Sequence, residues 1–249
     1  MNMPMTMLDA TAAPLGGNAR AFVLLKSGRR LDLLNPDPQA WTDGDLAAGL
    51  SRTMRWGGAS QWPHPLSVAQ HSLTVLAIRE AEGPLTAQEG LRELLHDATE
   101  FMLGWDCIAP LKAQLGQPFR QLEARLQAAV DARYQLPSWT AEDYAKHKRA
   151  DRLAAASEAF HVVGWSRTEM VKALGIEIRP LLVDPLPPNG FAQWEPWPPG
   201  AAEHLFMERF RNLAHASGSS MSPSRTTSFG CSAFLPATPF HGDDHVASA

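Results

Sequence analysis

The sequence predicts an all-α protein, a helical bundle preceded by one small β-hairpin. Three observations carry this reading. Apolar residues recur at helical spacing from about residue 40 to residue 215. Thr and Ser stand where most of those runs begin, as helix caps do. Only one short stretch, near the N-terminus, reads as strand. At about 150 residues per domain, 249 residues with 45% hydrophobic side chains make one large domain with extensions.

The elements follow in order. Residues 1–20 mix Met, Ala, Gly and Pro without period and read as a flexible leader. Residues 21–35 read as the hairpin: Phe22 to Leu25, a Ser27-Gly28 turn, then Leu31, Leu33 and Leu34, closed by Asn35-Pro36-Asp37-Pro38. Thr42 and Asp43 cap a helix to about Met54, which Gly57-Gly58 stop. Gln61 to Pro65 form a loop. Ser67 opens a helix to about Ala81, with Val68, His71, Val75 and Ile78 on one face. Thr86 with Gln88-Glu89 resembles a capping box and starts a helix to about Leu103, its stripe being Leu91, Leu94, Leu95, Ala98 and Met102. Further helices are expected over Pro118 to Tyr134, over Ala141 to about Val163 under a Thr140 cap, and over Arg167 to Leu174.

The last third differs. Ten of the twenty prolines lie from Pro180 onward, and Leu186 to Gly200 cannot be regular. Ala201 to Ala214 recovers a helical pattern. The expected organisation is one domain over 21–215, with a helical core at 40–180 and the Pro/Trp-rich segment and last helix at 181–215. Residues 216–249 bury little and read as a disordered tail.

Composition excludes several functions. Lys+Arg 22 against Asp+Glu 26 gives a net charge of −4, with no basic block, which disfavours a nucleic-acid polymer as partner. Two cysteines, Cys107 and Cys231, make neither a disulfide scaffold nor a zinc ribbon. No apolar run approaches the ~20 residues that span a bilayer, and the first nineteen residues carry no Lys or Arg. The expectation is a cytoplasmic protein with no membrane partner.

The candidate chemistry starts at His96-Asp97, with Glu100 following. On one helix these three share a sector opposite the leucine stripe. Alone, they read as a solvated polar face. His71 differs, because it sits inside the apolar stripe of its own helix, where an imidazole needs a partner for each nitrogen. Asp151 lies mid-helix among Lys148, Arg149 and Arg152. It is followed by Ala154, Ala155 and Ala156, small residues that permit close helix approach. Glu158 shares its face. Two histidines and two aspartates on three helices are a plausible divalent-metal set. Imidazole and carboxylate together do not choose among Zn²⁺, Mn²⁺, Fe²⁺ and Co²⁺.

The pattern His71, His96-Asp97, Asp151 resembles the HD-domain metal-dependent phosphohydrolases. Arg55-Trp56, Ser67-Val-Ala-Gln-His71-Ser72, Leu95-His-Asp-Ala-Thr-Glu100, the Gly104 to Lys112 segment and Lys148-Arg-Ala-Asp151 are similar in order and spacing to the 5′-deoxynucleotidase-like branch. That branch also includes phage-type dATP triphosphohydrolases. Other branches fit less well: Glu100 is followed by Phe101 rather than an acid, no extra histidines follow His96-Asp97, and a Gly-Tyr-Pro signature is missing.

The resemblance implies His71, His96, Asp97 and Asp151 as ligands of one divalent ion, Mn, Co, Zn, Fe or Mg. It implies Glu100 as general acid/base, Arg55 and Lys112 as phosphate-facing cations, and Trp56 as a wall for the sugar or base. Asp106 stands where the family has a Gly-Asp pair. Here Gly104-Trp105-Asp106 is one residue longer, which leaves its part, in catalysis or in holding the ligand helix, less defined. Glu158 is read as a group that orients Arg55 or a ligand. His64, His147, His161 and His204 read as ordinary loop or helix residues. His241-Gly-Asp-Asp-His245 has the composition of a metal site without a scaffold.

The expected activity is hydrolysis of deoxynucleoside 5′-monophosphates. The alternatives are release of tripolyphosphate from a dNTP and a non-catalytic HD module. Relatives suggest a homodimer or higher homo-oligomer.

Overall fold

The computed structural model describes residues 20–218. The residues before 20 and after 218, including Cys231 and the His241 to His245 motif, lie outside the described residues. The fold is all-α with an N-terminal hairpin, as the periodicity predicts. Strands β1 (Phe22–Leu24) and β2 (Arg30–Asp32) pair antiparallel, with Val23 opposite Leu31. The turn between them is pinned from outside, where Asp45 Oδ1 accepts the Ser27 N–H at 2.7 Å.

Asp45 belongs to α1 (Asp43–Arg52), and it completes a capping box with Thr42. Its Oδ2 accepts from the Thr42 N–H and hydroxyl at 2.8 and 2.7 Å. Burial opposes its charge, but these bonds and those from Ser27 outweigh it, holding the carboxyl below the usual range. One buried side chain therefore starts the first helix and fixes the hairpin to it.

The remaining elements are α2 (Val68–Glu82), α3 (Ala87–Leu94), α4 (Thr99–Leu103), α5 (Ala109–Tyr134), α6 (Ala141–Glu158), α7 (Arg167–Leu174) and α8 (Pro199–Ala216). Ser67, Thr86, Thr140 and Ser166 cap α2, α3, α6 and α7 through their side-chain oxygens. α1 packs on α8 and α4, and α2 lies between α6 and α3. The main core joins Trp41, Leu46, Leu50, Leu91, Leu94, Leu95, Met102, Leu126, Phe206 and Phe210. Within it the Trp41 indole N–H donates to the Tyr134 hydroxyl at 3.2 Å, and that hydroxyl donates to Asp43 at 3.1 Å. α6 approaches α2 through Ala150 and Ala154, buried with Val75 and Ile78. Of the three alanines expected to permit close approach, Ala154 does so here, while Ala156 packs with Ala159 and Met170.

Several boundaries differ from the sequence reading. α1 ends at Arg52 rather than Met54, and Arg55–Gly58 forms a separate 3-10 turn. The chain between them is extended, because Met54 bridges Ser67, with Arg55 N–H donating to Leu66 O and Val68 N–H to Thr53 O, both at 2.9 Å. The helix expected from Thr86 to Leu103 breaks over residues 95–98. α5 begins at Ala109, before Pro118, and bends at Gly116 (φ 73°, ψ −153°). α6 stops at Glu158, and Ala159–Val163 continues as a π-helical turn. The Pro/Trp-rich segment is irregular as far as Pro198, where α8 starts at Pro199 two residues earlier than expected, and it covers the chain's own core. Gln70 accepts from the Trp197 N–H at 2.8 Å and donates to Glu195 O at 3.0 Å. Among the described residues, no helix is long and apolar enough to cross a membrane.

Two glycines of α1 give opposite expectations. A Cβ on Gly49 would sit 2.7 Å from Phe101 Cβ and 3.3 Å from its Cα, which are not flexible ends that can swing away. Gly49→Ala should destabilise the chain by about 1–3 kcal/mol, as overpacking does, and lower the thermal midpoint. Exposed Gly44 would meet only Thr42 Oγ1 at 3.6 Å. Gly44→Ala should be neutral or stabilising by up to about 1 kcal/mol. Thermal unfolding of the two variants beside the unchanged chain checks both.

Candidate metal and phosphate site

His71 is on the second turn of α2, facing inward with no exposed surface. Its Nδ1 lies 2.5 Å from Glu158 Oε1. A buried carboxylate can only accept there, so Nδ1 carries a proton and Nε2 points the other way. That Nε2 has no hydrogen-bond partner among the described residues. It faces Asp151 Oδ1 at 3.4 Å and Asp97 Oδ2 at 3.6 Å.

His96 reaches the same point from the break between α3 and α4. In a continuous helix the Glu93 carbonyl would accept the Asp97 N–H. Here it accepts from His96 Nδ1 at 2.8 Å. The chain then turns tightly, with Ala98 N–H on Leu95 O and Glu100 N–H on Asp97 O at 3.1 and 3.0 Å. His96 Nε2 is left buried, unpartnered and 3.2 Å from Asp97 Oδ2. The two rings meet edge to face at 5.3 Å. His96, Asp97 and Glu100 thus do not share a sector of one regular helix, because the imidazole has taken the helix's own acceptor.

His71, His96 and Asp97 bring one ligand atom each within 4.8 Å of one another and could hold a metal ion. Asp151 borders this group through Oδ1, while its Oδ2 pairs with Lys148 one helical turn away. The donor set suits a divalent cation: two imidazoles with fixed tautomers and carboxylates held ionised. Burial would raise the pKa of Asp97, but His96 and His71 outweigh it and hold the carboxyl well below its usual range. Asp151 is held well below likewise, by His71 first among its neighbours. Burial and Arg55 both push the His71 imidazolium down, yet Glu158 and Asp151 prevail and lift it to about 9, so without a cation Nε2 holds a proton that a bound metal would displace.

Glu158 connects this group to the next. Its Oε2 accepts from Arg55 Nε at 2.9 Å and from the Trp56 indole N–H at 3.1 Å. Burial opposes its charge, but Arg55 and His71 hold its pKa down to about 2. Arg55 then presents Nη1 to Asp106 at 3.4 Å and to Asp97 at 3.7 Å. Burial works against the guanidinium and these carboxylates more than compensate, raising its pKa. Trp56 takes a left-handed conformation (φ 57°), costly for an aromatic residue, and it packs its ring beside Ala156, Ala159 and Met170. The loop after it is fastened to the π turn, with Gln61 N–H on Val162 O at 2.8 Å and the Trp62 indole N–H on His161 O at 3.1 Å. Gly164, in the left-handed region at φ 90°, closes that turn, and a Cβ there would overlap the Gln61 amide.

Glu100 is buried in α4 with Oε2 unpartnered. Burial first, then Asp97 and Asp106, push its carboxyl up to about 10, so it holds a proton at neutral pH. Lys112 does not join the cluster by direct contact. It pairs with Glu123 at 2.8 Å, across the bend at Gly116. The charges of Asp97 and Glu100 also favour its ammonium, after Glu123.

Sequence reasoning missed three residues behind the ligands. His147, read as an ordinary helix residue, is buried, with its ring 4.8 Å from His96 and stacked on Trp139. Glu93 and Arg79 stand with it, both buried. The four-residue spacing from His147 to Asp151 fits a shared face of α6 but does not by itself pick His147 out of its polar run, and Glu93 is separated from His96 by the end of α3.

Glu158→Ala leaves His71 Nδ1, Arg55 Nε and the Trp56 indole without their acceptor. It should cost about 3–5 kcal/mol, the range for breaking a buried ion pair from one side. Glu158→Gln keeps an acceptor oxygen and should cost less. Urea unfolding of the metal-free proteins ranks them.

Comparison with known proteins adds relatives without an assigned activity. No family model matches the chain. An uncharacterized protein of Rhodobacter capsulatus is 37% identical over 174 residues, covering 65% of this chain and 88% of that protein. The uncharacterized protein YfdR of Escherichia coli K12 is 29% identical over 199 residues, covering 78% of this chain and 96% of that protein. The chain belongs to the family of the Rhodobacter capsulatus protein.

Proposed function

We propose that this protein is a metal-dependent phosphohydrolase of the HD-domain type that hydrolyses deoxynucleoside 5′-monophosphates to deoxynucleoside and phosphate. One observation carries the reading. Two buried imidazoles each commit Nδ1 as a donor and aim an unpartnered Nε2 at the same oxygen of Asp97. A merely structural histidine pair would use those nitrogens.

His71, His96, Asp97 and Asp151 would hold the ion. When bound, a divalent cation supplies charge neutralisation at a phosphate and lowers the pKa of water. The other groups act around it. Arg55, with Nε fixed by Glu158 and Nη1 turned to Asp106, would grip a phosphate oxygen through the remaining guanidinium N–H groups. Lys112, held at 31% side-chain exposure on Glu123, is a second cation for the same anion. Glu100 holds a proton on its carboxyl while its acidic neighbours stand uncompensated. Positive charge in the site favours its carboxylate form. It can therefore accept a proton from the attacking water and return one to the departing 5′-oxygen. Asp106 fixes the second arm of Arg55 rather than serving as a second acid. Trp56, tied to Glu158 through its N–H, offers its ring as a wall for the sugar.

Phosphate release from dNMPs, NMPs and dNTPs, each with Mn²⁺, Co²⁺, Mg²⁺ or Zn²⁺, tests the reading. Phosphate from dNMPs is expected, abolished together with metal uptake in Asp97→Ala. Tripolyphosphate from a dNTP would replace the monophosphate reading with a triphosphohydrolase. No hydrolysis by the metal-loaded protein would overturn the reading. Glu100→Gln should bind metal normally while kcat falls about 10²–10⁴-fold, the usual loss for a general acid/base. Equilibrium metal binding beside steady-state rates separates the two effects.

A further inference from the structure

The two helices that carry His71 and Asp151, and the helix that ends just before His96, each carry one member of a second, buried group. α2 supplies Arg79, α3 supplies Glu93 and α6 supplies His147. Arg79 Nε donates to Glu93 Oε1 at 2.7 Å, and His147 Nδ1 lies 2.8 Å from Glu93 Oε2. The carboxylate is therefore held at both oxygens by donors from the two flanking helices. Its own main-chain carbonyl is the acceptor that fixes His96 Nδ1. The His147 ring presses edge-on against the His96 ring at 4.8 Å, and Trp139 stacks on its other side at 4.8 Å.

We propose that Arg79, Glu93 and His147 are positioning residues for the metal ligand His96, locking its ring through the Glu93 carbonyl and the His147 face. This rests on reading His71, His96, Asp97 and Asp151 as the metal site. The physical case is that the i→i−4 ladder stops at the Leu95 N–H, so residues 96–98 are held only by short turn bonds. A ligand in such a turn needs its orientation set from outside. Groups that orient a ligating histidine typically change metal affinity about 10–100-fold when removed. A buried ionic group is a costly way to gain stability alone, since apolar replacements often do as well. Its place behind the ligands gives it the role.

Co²⁺ titration of the full chain tests this, reading both the dissociation constant and the visible absorption bands. Glu93→Gln and His147→Ala should weaken Co²⁺ binding about 10–100-fold and shift the bands, with the far-ultraviolet dichroism unchanged. His147→Asn, whose amide N–H stands where Nδ1 stood, should recover most of the affinity. Unchanged affinity and spectrum in Glu93→Gln and His147→Ala would overturn the proposal. So would a loss that tracks falling helical signal and is not recovered in His147→Asn. If the unchanged chain takes up no Co²⁺ or other divalent ion, the metal-site reading itself falls. That outcome is separate from equal binding by all variants.

Discussion

The site depends on the carboxylate of Glu158. It is fully enclosed and accepts three hydrogen bonds, from a metal-site histidine, an arginine and a tryptophan. A buried charge is tolerated only when its lone pairs are filled by well-placed donors. Here the donors come from α2 and from the turn after α1, so satisfying Glu158 brings those elements against the end of α6. The His71 tautomer, the aim of Arg55 and the place of the Trp56 ring follow from one group.

The charges around that group are divided between a carboxylate-rich side and a guanidinium beside it. Asp97, Asp106, Asp151 and Glu158 gather within reach of Arg55, and Glu100 is the acid that yields by keeping its proton. The excess negative charge sits on the His71 and His96 side, where a cation would be welcomed. The guanidinium sits at the edge of that field, facing carboxylates that a phosphate group would resemble in charge. A dication and a phosphate together fill both demands, and either alone fills one.

Much of this was legible in the sequence, and the failures share a cause. Caps at Thr42, Ser67, Thr86, Thr140 and Ser166 are local, so the starts of α1, α2, α3 and α6 could be read directly. The burial of His71 followed from its place in an apolar stripe. The break over 95–98 was not legible, because Leu91, Leu94, Leu95, Ala98 and Met102 keep helical spacing across it. All five are buried, so the spacing tracks burial through the turn while the hydrogen bonds follow the His96 imidazole. His147 escaped notice for a related reason. Nothing in a polar run such as Lys146-His147-Lys148-Arg149 marks which residue faces inward, and only the tertiary partner Glu93 decides it.

The π turn at Ala159–Val163 has a consequence for how the site is held. A π turn accommodates one residue more than an α turn and leaves carbonyls without their usual partners. In this chain the carbonyls of His161 and Val162 receive the loop that follows Trp56. That loop is thus anchored to main-chain atoms, which every amino acid carries. What the loop needs at that point is the backbone path that the turn and Gly164 set, while the His161 and Val162 side chains are committed elsewhere, to Leu181 and Trp194 and to burial. The loop after Trp56 is thus positioned by backbone geometry, and the charged groups beneath it are positioned by Glu158, so the two are held in place by different means.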